Sequence, residues 1–156
     1  MGLKEQIRQD MQKAAKEHDS LALSALRMAV AAIQNREIDA VTRKEIAQGS
    51  PLPDEALLKV IAAMVKQRRE SIELFLQGNR PELAEKERSE IAILERYLPK
   101  SLSPQEIEAL VREAIAETGA KGPSDMGRLM KAVMPKTAGR ADGKAVNETV
   151  RRLLAG

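Results

Sequence analysis

The chain has no cysteine and no tryptophan, and only one phenylalanine, one tyrosine and one histidine among 156 residues. Without cysteine there are no disulfides, no zinc fingers and no thiol nucleophile. A single histidine, His18, leaves nothing from which to build a histidine-based metal cluster or a Ser-His-Asp triad. Aromatic residues make up only 1% of a chain that is 43% hydrophobic, so the core has to come from Leu, Ile, Val, Met and Ala. Such side chains suit close helix–helix packing better than a β-sandwich, which favours aromatic and β-branched residues. No apolar run approaches the roughly 18 residues that a membrane-spanning helix requires. The opening "MGLKEQIRQD" has amphipathic helical spacing rather than the apolar centre of a secretory leader. A cytoplasmic, reducing environment is therefore expected.

The net charge of +3 is unevenly placed. From Lys121 onward there are eight Lys and Arg against three acids, so this segment carries +5 and the first 120 residues −2. A basic C-terminal part on a mildly acidic body suggests a polyanionic partner for that part alone.

Helical periodicity accounts for nearly the whole chain. Leu3, Ile7, Met11 and Ala14 form one stripe, and "HDS" at 18–20 reads as a helix end followed by a cap, with His18 on the last turn. Leu23, Leu26, Val30 and Ile33 form a second stripe padded with alanines. "GSPLPDE" at 49–55 breaks the pattern, and a long helix is expected from about Asp54 to a left-handed ending at Gly78-Asn79. Pro81 opens a fourth helix running to Tyr97-Leu98. In "PKSLSPQE", Ser103, Pro104 and Glu106 supply a cap, a first-turn proline and a capping-box acid. A fifth helix follows to Thr118, a sixth from near Ser124, and a seventh after Asp142 carrying Val146, Val150 and Leu153 inward. The expected class is all-α: an N-terminal four-helix domain with a long helical hairpin over 1–100, and a small three-helix C-terminal domain over 101–156.

"AGRADGKA" at 138–145 resembles a phosphate loop, with Gly139, Arg140, Gly143 and Lys144 close together. A Walker A loop would need glycine where Ala138 stands, Ser or Thr where Ala145 stands, and a preceding strand. The loop therefore does not fit a nucleotide-hydrolysing site. Two readings stay open: an interhelix turn, or a grip on the backbone of a nucleic acid. For the second, Lys144, Asn147 and Arg151 share the outer face of the seventh helix, and Lys131, Lys136 and Arg140 lie just upstream. Stacking aromatics are missing, so shape and charge would have to suffice.

"KQRRES" at 66–71 reads as a solvated face with Lys66–Glu70 and Arg69–Glu73 pairs. Arg68 differs, because it falls in the stripe of Leu57, Ile61, Met64, Ile72 and Phe75. A buried arginine requires a partner. A hairpin around Gly78–Arg80 sets Glu90 opposite it and Glu87 one turn away, which points to a structural ion pair. No catalytic constellation, metal site or cofactor motif is found.

Three segments carry a family resemblance: "KVIAAMVKQRRESIELF" (59–75), "LAEKERSEIAILERYLPKSLS" (83–103) and "DMGRLMKAVMPKTAGRADGKAVNETVRRLL" (125–154). Together they resemble the YqeY-like family, whose helical architecture is shared with the tail of the GatB component of the glutamyl-tRNA(Gln)/aspartyl-tRNA(Asn) amidotransferase. The "GRAD…VN" run is the most specific part. Lys131 departs from the glycine usual after the Leu-Met pair. The resemblance implies a tRNA-contacting tail without the amidase centre or the ATP-using cradle. It also implies the family's label as a carbon–nitrogen ligase with glutamine as amido donor, an activity of the complex rather than of this chain. The expected function is a non-catalytic tRNA-binding accessory factor in tRNA-dependent amidation or translation, with a protein-binding adaptor as the alternative.

Overall fold

The computed structural model describes residues 2–137 and 140–155. Among the described residues there are seven α-helices and no strand. The chain divides into two compact units, Met1–Leu98 and Pro99–Gly156.

The first unit holds α1 (Leu3–Lys16), α2 (Ser20–Thr42), α3 (Asp54–Gln77) and α4 (Pro81–Glu95). Helix α1 starts under a cap supplied from far along the chain: both carboxylate oxygens of Asp54 accept from the Leu3 N–H at 3.3 Å. It buries Leu3, Ile7 and Ala14, and Met11 is half-buried. Alanines at 22, 25, 29 and 40 let α2 approach its neighbours closely and are themselves buried, alongside Leu26 and Ile33. Helix α3 contributes Leu57, Ile61, Met64 and Val65 to the same core, and α4 contributes Ile91, Ile93 and Leu94. The Tyr97 hydroxyl donates to Asp10 at 2.5 Å, fastening the end of this unit to α1. Lys4 bonds both oxygens of Glu37, at 2.7 and 2.8 Å, joining α1 to α2.

Three of these helices end in the same way without glycine. His18, Lys44 and Asn79 adopt φ of 56°, 61° and 57°. At each, the next residue's N–H reaches back five residues: Asp19 to Ala14, Glu45 to Ala40 and Arg80 to Phe75. This is the Schellman ending, which satisfies orphan carbonyls at the expense of a left-handed residue. His18 therefore lies beyond α1, exposed in the turn, and not on its last apolar turn as its spacing suggested. Left-handed geometry falls on Asn79 rather than Gly78, whose φ is −82°. Asp19 then serves as the cap of α2, accepting from the Ala22 N–H at 3.1 Å. Helix α4 stops at Glu95, three residues short of the expected Leu98, because Tyr97 and Leu98 turn back onto the core.

The second unit holds α5 (Pro104–Thr118), α6 (Met126–Thr137) and α7 (Gly143–Ala155). Ser103 and Glu106 form the full capping box, with bonds of 2.8 and 3.1 Å. Gly119 closes α5 at φ 70°, where any Cβ would be strained. Pro123–Asp125 form a 3₁₀ turn, so α6 begins at Met126 and not at Ser124. Ile107, Val111, Ala114, Leu129, Val133, Val146, Val150 and Leu154 make this unit's own core. Among the described residues no helix is long and apolar enough to cross a membrane.

Candidate nucleic-acid interface

Helix α7 has two distinct faces. Val146, Val150 and Leu154 are buried and Leu153 is half-buried, so the inner stripe runs one position further round than Leu153 alone implied. Lys144 and Arg151 are exposed on the opposite face, and Asn147 is half-buried at its edge. Glu148 is exposed too. At 3.6 residues per turn it stands about 40° from Lys144 and about 60° from Arg151, on the same face. Simple wheel arithmetic would have found this carboxylate. The Asp142 side chain accepts from the Lys144 N–H at 3.2 Å, so a carboxylate already occupies the positive end of α7.

The remaining cations of this unit sort into two groups. Lys136, half-buried, is drawn to α5, with Glu117 at 3.2 Å and Glu113 at 3.7 Å. Arg152 and Arg112 share Glu108, at 3.2 and 2.8 Å. Hydrogen bonds from Arg112 and then Arg152 hold the Glu108 carboxyl below its ordinary value. Arg128 pairs with Asp125, whose carboxyl is lowered chiefly by the Lys121 N–H. By contrast, among the described residues no carboxylate lies within 4.0 Å of the charged group of Lys100, Lys121, Lys131, Arg140, Lys144 or Arg151.

Two of these unpaired cations are adjacent through the main chain. The Leu102 N–H donates to the Arg140 carbonyl at 2.8 Å, and Arg140 Nε reaches the Lys100 carbonyl at 3.5 Å. Lys100 thus joins the segment that begins at Arg140. Their separation of 40 positions gave the sequence no signal for this. Ala138 and Gly139, the first residues of "AGRADGKA", lie outside the described residues.

In the first unit, Arg68 is only 6% exposed and Glu90 only 5%. Arg68 Nε donates to Glu90 Oε2 at 2.9 Å, and Glu87 Oε2 lies 3.9 Å away. Arg68 Nη1 donates to the Met64 carbonyl at 3.3 Å, and Nη2 to the Met28 sulfur at 3.4 Å. Arg69 reaches across to Glu95 at 2.6 Å instead of pairing along its own helix with Glu73. A cleft of about 470 Å³ opens beside Lys4, Glu37, Val41 and Ser50, but its two charged groups are bonded to each other. Among the described residues no three His, Asp or Glu side chains are grouped to hold a metal ion.

A family profile described as Yqey-like protein matches residues 4–154. The chain belongs to the YqeY-like family. This YqeY-like chain is similar to the protein named "Altered inheritance of mitochondria protein 41, mitochondrial" from Lachancea thermotolerans, with 36% identity over 120 residues. That match covers 76% of this chain and 60% of the relative. The protein of the same name from Kluyveromyces lactis is 33% identical over 121 residues, covering 76% and 61%. The one from Pyrenophora tritici-repentis is 30% identical over 152 residues, covering 95% and 78%. The chain thus spans about three fifths of the length of the first two relatives.

Proposed function

We propose that this YqeY-like protein is a non-catalytic accessory factor that grips the phosphate backbone of tRNA or another structured RNA, in tRNA-dependent amidation or translation. The unit Pro99–Gly156 would act in the manner of an amidotransferase tail. One observation carries the reading: Lys100, Lys121, Lys131, Arg140, Lys144 and Arg151 are left without carboxylates among the described residues, although acids in the same unit pair with Lys136, Arg112, Arg128 and Arg152. Carbon–nitrogen ligation with glutamine as amido donor would then belong to a complex that this chain joins. A compartment in which translation runs suits the proposal, whether cytoplasmic or, as the relatives' name has it for them, mitochondrial.

A second reading, a protein-binding adaptor, rests on Leu74, Leu76 and Leu83, which are 66%, 47% and 38% exposed around the α3–α4 turn. Filter binding of bulk tRNA at two salt concentrations separates the two. Lys144→Ala and Arg151→Ala should each lower the salt slope by roughly 0.7–0.9 with folding intact. Glu148→Gln should tighten binding by about 2–3-fold, the worth of one like charge removed at roughly 8 Å in high dielectric. Wild-type binding that ignores salt, or is absent, rejects the RNA reading and leaves the adaptor.

A further inference from the structure

We propose that Met28 is a methionine-oxidation site whose sulfoxide is received by the buried guanidinium of Arg68. Arginine carries five N–H donors in a rigid fork. Here Nε serves Glu90, Nη1 serves the Met64 carbonyl, and Nη2 has the Met28 sulfur at 3.4 Å. A thioether is the weakest acceptor of the three. At 6% exposure Arg68 has little access to water that could replace it.

Met28 itself is 49% exposed, so an oxidant in solution can reach it. With hydrogen peroxide, a sulfur lone pair attacks one peroxide oxygen and the O–O bond breaks. The departing hydroxide takes the proton that the transferred oxygen brought and leaves as water, so that oxygen stays on sulfur as the sulfoxide. Sulfur loses two electrons and the peroxide gains two. The product carries a polar oxygen on a sulfur that already lies against an unsaturated, positively charged donor. Sulfoxides usually weaken the apolar contacts that methionine makes. At Met28 the new oxygen replaces a poor acceptor with a good one, so oxidation strengthens the hold of α2 on Arg68.

Met134, 39% exposed on α6, is the other exposed methionine among the described residues, so the test removes it. Met11, Met126 and Met130 are half-buried, and Met64 is 8% exposed.

The test uses the full chain with Met134→Leu, treated with hydrogen peroxide. Peptide mass spectrometry locates the oxidised residues, thermal melts give Tm, and arginine side-chain NMR follows the Arg68 Nη signals. Oxygen should enter at Met28 before Met11, Met64, Met126 and Met130. Tm should stay unchanged or rise by up to about 5 °C. The Arg68 Nη resonances should move, and Met28→Leu should abolish that movement while keeping the fold. Met28 oxidising no faster than Met64, an oxidised Tm below the reduced one, or unmoved Arg68 signals would overturn the proposal.

Discussion

Removing Arg68 tests how far the first unit depends on one charge pair. Arg68→Ala takes away the 2.9 Å partner of Glu90, whose side chain is 7% exposed and whose neighbours on α4, Ile91 and Leu94, belong to the core. Breaking a buried pair from one side costs about 3–5 kcal/mol, because the remaining charge stays behind without compensation. A unit of this size has roughly 5–15 kcal/mol of stability in all, so the loss is a fifth of the total or more. It corresponds to a fall in Tm of about 12–40 °C. Tyr97 is the only tyrosine, lies in this unit and has a bonded hydroxyl, so urea titration followed by tyrosine fluorescence reads this unit selectively. The double variant Arg68→Met with Glu90→Leu should recover to within about 1 kcal/mol of wild type, since both charges leave together. Glu87 does not spoil this recovery, because its side chain is 22% exposed and keeps its water. A loss below about 0.5 kcal/mol for Arg68→Ala, or additive losses in the double variant, would refute the reasoning.

The left-handed helix ends give a second expectation: His18→Gly and Lys44→Gly should each stabilise by up to about 1 kcal/mol, while Gly119→Ala should destabilise by about 1 kcal/mol in the same denaturation assay. Burial, then the bond to Asp10, raises the Tyr97 hydroxyl well above the ordinary tyrosine value. A raised value means that the neutral form is favoured in the fold, so this stability is complete below about pH 10 and is lost as pH rises further. Ultraviolet titration should therefore show phenolate and loss of helix appearing together. Phenolate forming near pH 10 in a fully helical protein would contradict it.

Helix positions were readable because the chain marks them with chemistry that acts locally. Pro81, the capping box at Ser103 and Glu106, and Gly119 all sit at helix ends. What periodicity could not reveal was geometry made by residues far apart. The cap on α1 comes from Asp54, 51 positions away, and Arg69 reaches Glu95 across a hairpin when an acid on its own helix was available. His18 was misplaced for a different reason: in a Schellman ending the left-handed residue is usually glycine, and here histidine, lysine and asparagine adopt it. In the candidate interface, the outer face of α7 was legible from spacing, but Lys100 came to Arg140 only through the fold. Glu148 was as legible as its basic neighbours, because four residues beyond Lys144 is one helical turn on the same face.

Which carboxylates are engaged, and on which side, bears most directly on the proposed interface. Exposed ion pairs contribute at most about 1 kcal/mol each, so the pairings of α5 with Lys136 and Arg152 add little to stability. Their larger effect is to neutralise those cations, so within this unit the cations without an ion-pair partner among the described residues are Lys100, Lys121, Lys131, Arg140, Lys144 and Arg151. Asp142 meanwhile accepts from the Lys144 N–H and sets its own negative charge at the positive end of α7, which disfavours a second anion there. On the proposed reading, phosphates would be held by mobile side chains and not by fixed N–H groups. Such contacts sense the spacing of charges along a backbone and carry no information about bases. Glu148, standing between Lys144 and Arg151, would moderate the grip and keep it reversible. A protein with this surface should bind structured RNAs broadly and release them readily as salt rises, and its selectivity for one RNA would come from the complex it joins.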